Sequence, residues 1–137
     1  MEKFLTREGV RSNVPFSERI LRGDVMEPNC PSREILRHLT SRWGILILVA
    51  LSTGTLRFSD LRRRIGGVSE RMLAQTLQFL EADGMLIRQD FQTVPPHVEY
   101  SLTAVGRIAA EKVGDLVNWL EASLPEILIA QANDSEG

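Results

Sequence analysis

Residues 57–84 read RFSDLRRRIGGVSERMLAQTLQFLEADG, and this stretch decides the fold. Phe58, Leu61 and Ile65 fall at i, i+3 and i+7, the spacing of a short amphipathic helix. Gly66-Gly67 closes that helix, and Ser69 has the hydroxyl to cap another over about 69–83. The second helix is expected to bury Met72, Leu73, Leu77, Phe79 and Leu80, and Gly84 suits a left-handed exit. Two helices joined by a glycine-containing turn form a helix-turn-helix.

After Gly84, Met85–Phe91 and Val98–Leu102 read as strands. Pro95 and Pro96 lie in the segment between them and cannot donate to a ladder, so 92–97 is the loop of a hairpin. Thr103 caps a long helix with Val105, Ile108, Val113, Leu116, Leu120 and Leu124 on one broad stripe. Pro125 is expected to end or kink that helix, leaving 126–137 as a polar tail that frays after about Ala130. Towards the N-terminus, Trp43–Ser52 is apolar nearly all round and therefore a buried helix. Pro31 opens a helix over about 31–40 that carries Ile35, Leu36 and Leu39 on one face. Residues 1–29 form a partly ordered arm with one short helix at Phe16–Arg22, and 30–125 form the domain. The fold class is mainly α with a small β-hairpin wing, a winged helix-turn-helix.

Composition narrows the function. The chain has 137 residues, 43% of them hydrophobic and 25% charged, which suits a single globular domain. Its longest apolar run, Ile45–Leu51, is far short of the ~20 residues of a membrane span. The N-terminus carries no apolar segment with a cleavage site, so the cytoplasm is the expected compartment. A single cysteine, Cys30, excludes an intrachain disulfide and a cysteine-rich zinc site. Two histidines are too few for a metal cluster, and no cofactor is implied. The net charge of −2 hides a local asymmetry. Residues 57–73 hold five arginines against Asp60 and Glu70, whereas 103–137 hold two cations against six acids. A basic middle beside an acidic end is the electrostatic footprint of nucleic-acid binding.

On the second helix, Leu73, Leu77 and Leu80 point inward, so Arg71, Gln75, Gln78 and Ala82 point outward. Arginine bridges guanine O6 and N7, and glutamine bridges adenine N6 and N7. The first turns of such a helix meet base edges in the major groove, which makes Ser69, Arg71 and Gln75 the foremost base readers. Glu70 either accepts from cytosine N4 or serves the helix N-terminus. Arg57, Arg62, Arg63 and Arg64 read as phosphate contacts, with at least one of them structural. The hairpin supplies Arg88 on its first strand and His97 at its tip.

Cys30-Pro31, Arg42-Trp43 before an apolar helix, Arg57-Phe58-Ser59-Asp60-Leu61-Arg62, Gly67-Val68-Ser69 with Met72-Leu73, Leu80-Glu81-Ala82-Asp83-Gly84, and Pro95–Thr103 run in register. This ordered set resembles the HxlR family of bacterial winged-helix regulators, related in fold to the MarR type, over roughly 30–125. The resemblance implies a homodimer that binds a two-fold symmetric operator on double-stranded DNA. Its terminal helices form the interface and its wings flank it. The regulator is read as a repressor. Trp119 and the wide apolar stripe supply a surface for pairing, and paired helices meet grooves about 34–36 Å apart.

The resemblance also makes Cys30 a candidate sensor of oxidants or electrophiles. It stands at a helix start with Arg33 nearby, both of which lower a thiol pKa. The alternative is a small residue that simply packs. A small-molecule effector lodged near Trp43, Phe79 and Trp119 is a second possibility. No phosphate loop, nucleophile elbow or Cys-His-carboxylate set argues for an enzyme. The remaining rival is a winged-helix module that binds protein, which would cover the Arg71 and Gln75 face.

Overall fold

The structure, a computed structural model, describes residues 22–136. All but Arg22 of the helix expected at Phe16–Arg22 lies outside the described residues. The chain divides after Arg37 into two compact units. In the smaller unit, successive turns place the Glu27 amide on the Asp24 carbonyl and the Cys30 amide on the Glu27 carbonyl. These turns lead into α1 (Pro31–Leu39), with proline in the first position, where its missing N–H leaves no bond unmade.

The larger unit, His38–Gly137, is built on α2 (Arg42–Leu51). Ser41 caps α2 by accepting from the Gly44 amide at 3.1 Å, and Ile47 and Leu48 are wholly buried. Against α2 lie α3 (Phe58–Arg64), anchored by buried Leu61 and followed by buried Ile65, and α4 (Glu70–Ala82). Ser69 caps α4, its hydroxyl oxygen accepting from the Met72 amide at 3.1 Å. Gly67 and Gly84 take positive φ at the turn into α4 and the exit from it, where a Cβ would be strained.

Three antiparallel strands, β1 (Leu56–Arg57), β2 (Leu86–Asp90) and β3 (Val98–Leu102), form a sheet in the order β1-β3-β2. The hairpin register pairs Leu86 with Leu102 and Arg88 with Tyr100. Leu86, Tyr100 and Leu102 turn into the core. The sequence reading expects two strands; the third, β1, pairs Leu56 with Tyr100 and Arg57 with Glu99. Met85 lies outside β2, but it is buried, and its carbonyl accepts the Thr103 amide at 3.0 Å.

The long helix α5 (Ala104–Glu136) starts at Thr103, whose hydroxyl accepts from the Gly106 amide at 2.9 Å. Pro125 does not end it: α5 continues to Glu136, so residues 126–136 are helical and not a frayed tail. Proline removes one donor, to the Glu121 carbonyl, and both residues are exposed, so water can take up that carbonyl. Gly106, Ala110 and Val113 are buried, whereas Val105, Ile108, Leu116, Trp119, Leu120, Leu124, Leu128 and Ile129 remain largely exposed.

α4 also departs from expectation. Met72 and Phe79 are 41% and 40% exposed, and Thr76 is buried instead. The Thr76 hydroxyl donates to the Met72 carbonyl at 2.7 Å, which satisfies it within the helix and lets it face the core.

Candidate nucleic-acid interface

α4 presents a face that is polar because the opposite side is committed to the core. Leu73, Leu77 and Leu80 are buried, and one half-turn away Arg71, Gln75, Gln78 and Ala82 are all exposed. Among the described residues, the Arg71 guanidinium has no ion pair or hydrogen bond, so its fork stands ready for a planar acceptor pair. The Ser69 oxygen is engaged in capping, which leaves its O–H as the group it can offer. Glu70 sits in the first turn of α4, where the helix dipole favours an anion, and accepts from Arg62 at 3.1 Å.

The other arginines gather beside this face. Arg63 pairs with Asp60 at 2.5 Å, and the Asp60 carboxylate also accepts the Arg57 amide at 3.2 Å. The Arg57 guanidinium reaches the Pro96 carbonyl at 3.5 Å. Arg64 is exposed and has no such partner among the described residues. Two of the four arginines are therefore ion-paired on the surface. Exposed pairs of this kind contribute about 0–1 kcal/mol and are easily exchanged for a stronger anion. Five cations against two carboxylates leave this surface positive.

The wing differs from expectation. Arg88 is exposed on β2, with Asp90 on the same edge at 4.0 Å. His97 is not at the tip. Its carbonyl accepts the Phe91 amide at 2.9 Å, its Nε2 meets a Glu99 carboxylate oxygen at 2.7 Å, and its ring lies 4.7 Å from that of Phe91. These contacts seat it at the neck of the hairpin, because ladder pairing extends one step beyond β2. The tip is Gln92–Pro96, where Val94 is 98% exposed, and it carries no cation.

In the smaller unit, the Cys30 sulfur accepts from the Asp24 amide at 3.2 Å and lies 3.1 Å from the Ser32 hydroxyl. The Ser32 hydroxyl, then the Asp24 and Ser32 amides, hold the thiol below its ordinary pKa, against burial and the Asp24 charge. The helix-start contribution expected from the sequence is present in the Ser32 amide; Arg33 is not among the causes. The three aromatics considered for an effector site have different neighbours. Trp43 lies under Arg42 and near Gly67, Phe79 stacks on His38, and Trp119 is on the exposed stripe. Sequence reasoning missed the pairing of His38 with Asp83, 45 positions away, for which no local pattern exists.

A helix-turn-helix with an outward polar helix face, an arginine cluster and a β-hairpin wing defines the class: a winged helix-turn-helix protein. The HxlR-like helix-turn-helix family model matches residues 38–127, and the chain belongs to that family. It is 60% identical over 117 residues to the HTH-type transcriptional regulator YtfH of Escherichia coli (strain K12), covering 85% of this chain and 93% of that protein. A solved structure of the transcriptional regulator ytfH from Salmonella typhimurium superposes with a TM-score of 0.78 at 58% identity, covering 81% of this chain and 99% of that one. The redox regulator HypR in its reduced form superposes with a TM-score of 0.65 at 33% identity, covering 73% and 98%. The chain is thus a helix-turn-helix transcriptional regulator by family. No helix among its described residues is long and apolar enough to cross a membrane.

Proposed function

We propose that the protein is a homodimeric, sequence-specific DNA-binding repressor that docks α4 of each subunit in successive major grooves of a two-fold symmetric operator. The observation that carries this reading is the exposed Arg71-Gln75-Gln78 face, backed by a buried leucine row and set beside the arginines of α3. Arg71, Gln75, Gln78 and the Ser69 hydroxyl read base edges. Arg57, Arg62, Arg63, Arg64 and Arg88 hold phosphates, Arg62 and Arg63 by exchanging Glu70 and Asp60 for the backbone. Glu70 serves the helix N-terminus and its partner arginine. His97 supports the wing from its neck.

Dimerisation is supported by the eight large apolar residues that α5 leaves exposed, among them Trp119 at 58%. A second copy of the same stripe is the natural cover for them. A protein-binding module is the alternative, and a second protein seated on the Arg71 and Gln75 face would favour it. For the signal, oxidation or alkylation of Cys30 is favoured over a small-molecule effector. Its sulfur receives donors that stabilise thiolate, and HypR, a relative in structure, is a redox regulator.

Selection from random duplexes with purified protein tests the reading. An inverted repeat with half-site centres about 10 base pairs apart is the expected product. Arg71→Ala should then cost about 1–3 kcal/mol at that site and relax one base position in each half. Recovery of no enriched sequence would overturn the reading. Treatment with diamide or a quinone should release DNA from the native protein but not from Cys30→Ser. Equal release from both would remove Cys30 as the sensor.

A further inference from the structure

His38 and Asp83 meet side chain to side chain at the base of α4. The His38 Nδ1 lies 2.6 Å from an Asp83 carboxylate oxygen, and the two side chains are only 11% and 13% exposed. The His38 imidazole also lies flat on the Phe79 ring, centroids 4.6 Å apart and planes 8° from parallel. Phe79 is one turn before Asp83, so a single residue grips α4 through two side chains. That stack gives the half-exposed phenylalanine a partner.

Asp83 is in an unfavourable place for a carboxylate. It caps the C-terminus of α4, its amide bonded to the Phe79 carbonyl, and the last turn of α4 contains no basic residue. A negative charge beside the unpaired carbonyls of a helix end is repelled by the helix dipole. The cation or donor that the helix itself does not supply comes from His38. A local rule broken and then compensated from far along the chain marks a position with a task beyond stability.

His38 is itself fixed to the core helix. Its carbonyl accepts from the Ser41 hydroxyl at 2.8 Å, and the same hydroxyl caps α2 by accepting from the Gly44 amide. A Cβ on Gly44 would lie 2.2 Å from the His38 carbonyl oxygen, so only glycine allows so close an approach. The chain of contacts runs from buried α2 through Ser41 and His38 to the end of α4. Arg71 is twelve residues from Asp83, or about 18 Å along a helix. A tilt of about 5° at the Asp83 end would move Arg71 by about 1.6 Å, more than a bidentate hydrogen bond tolerates.

The geometry points to His38 as a positioning residue for sequence reading: through Asp83 and Phe79 it sets the angle at which α4 presents Arg71, Gln75 and Gln78. This rests on the DNA-binding reading above. The test measures dissociation constants for the selected operator and for an unrelated duplex of equal length, at one salt concentration. The proteins are wild type, His38→Phe, His38→Asn, Asp83→Ala and the His38→Phe/Asp83→Ala double variant.

His38→Phe keeps the stack and loses the polar contact. Discrimination between operator and unrelated duplex should fall about five- to twentyfold, with binding to the unrelated duplex unchanged because the arginines are untouched. His38→Asn keeps an N–H donor at the place of Nδ1 and should restore at least half of the loss on a logarithmic scale. Asp83→Ala removes charge from the wrong end of the helix dipole. Discrimination should fall while the helix itself is not weakened, and the double variant should be no worse than either single one.

Unchanged discrimination, an equal loss on both duplexes, no rescue by asparagine, or additive losses would each overturn the assignment. If His38→Phe does not fold, Asp83→Ala and His38→Asn support the same comparison. A wild-type protein that prefers no duplex would instead remove the DNA-binding reading, and this assignment with it.

Discussion

Arg64 offers the cleanest measure of the proposed phosphate contacts, because its guanidinium is exposed and has no ion pair to surrender among the described residues. Replacing it by alanine in a two-fold dimer removes two contacts to the duplex. Each contact contributes about 0.9 to the slope of log affinity against log salt, so the slope should become shallower by about 1.8. With the five arginines assigned to phosphates engaged in each subunit, the parent slope is about −9. The counterion term vanishes near 1 M salt, which makes the expected weakening about 18-fold at 0.2 M and about 200-fold at 0.05 M. Fluorescence anisotropy of a labelled operator over this salt range reads both quantities. The loss should be the same on an unrelated duplex. Arg63→Ala is the comparison: it also leaves Asp60 without its partner, so its weakening at low salt should exceed that of Arg64→Ala. Salt lines for Arg64→Ala that run parallel to those of the parent would refute the assignment of Arg64 to a phosphate.

Three further outcomes follow from the packing. Leu120→Lys places a charge in the exposed apolar stripe of α5 and removes two half-buried leucines per dimer. It should weaken dimerisation at least ~100-fold in sedimentation equilibrium, about 3 kcal/mol, and an unchanged dimer would place the interface elsewhere. Gly106→Ala puts a Cβ 1.8 Å from the Met85 carbonyl oxygen, which the Thr103 amide and hydroxyl hold in place. It should cost about 2–4 kcal/mol, lowering Tm by roughly 10 °C, and a Tm within a degree of wild type would contradict that packing. Cys30 ionises more readily in the folded chain than an ordinary thiol because of the Ser32 hydroxyl. The sign follows: this contribution to stability is lost as pH falls through the folded-state pKa and is fully present above the ordinary thiol value. Iodoacetamide should therefore modify Cys30 at pH 7 faster than a matching peptide, with Ser32→Ala slowing it; equal rates would show no activation.

Much of the fold is legible because its signals are local. Ser69 before an amphipathic run, the glycines at 66 and 67, and prolines between two strands each act within a few residues. The strand β1 was not legible: two residues cannot show a period, and Leu56–Arg57 is a strand only because β3 is there to pair with it. Met72 and Phe79 were misassigned because both sit on the border of the inward arc of α4, where a wheel cannot decide. Thr76 took the buried place by bonding its own helix. Pro125 carries a helix-ending signal that is overridden on an exposed stretch, where water replaces the lost bond. In the candidate site, the residue types and the outward face could be read directly. The exchangeable partners of Arg62 and Arg63, the seating of His97, and the His38–Asp83 contact depend on tertiary proximity.

The short strand β1 has a mechanical consequence. Its two residues lead directly into α3 while pairing with β3, and the Arg57 guanidinium reaches across to the Pro96 carbonyl. Wing and helix-turn-helix are thereby riveted into one caliper whose jaws keep a set gap. If α4 and the wing grip DNA as proposed, the duplex must match that gap along its axis, and a base pair inserted between the two gripped segments should forfeit one grip or the other.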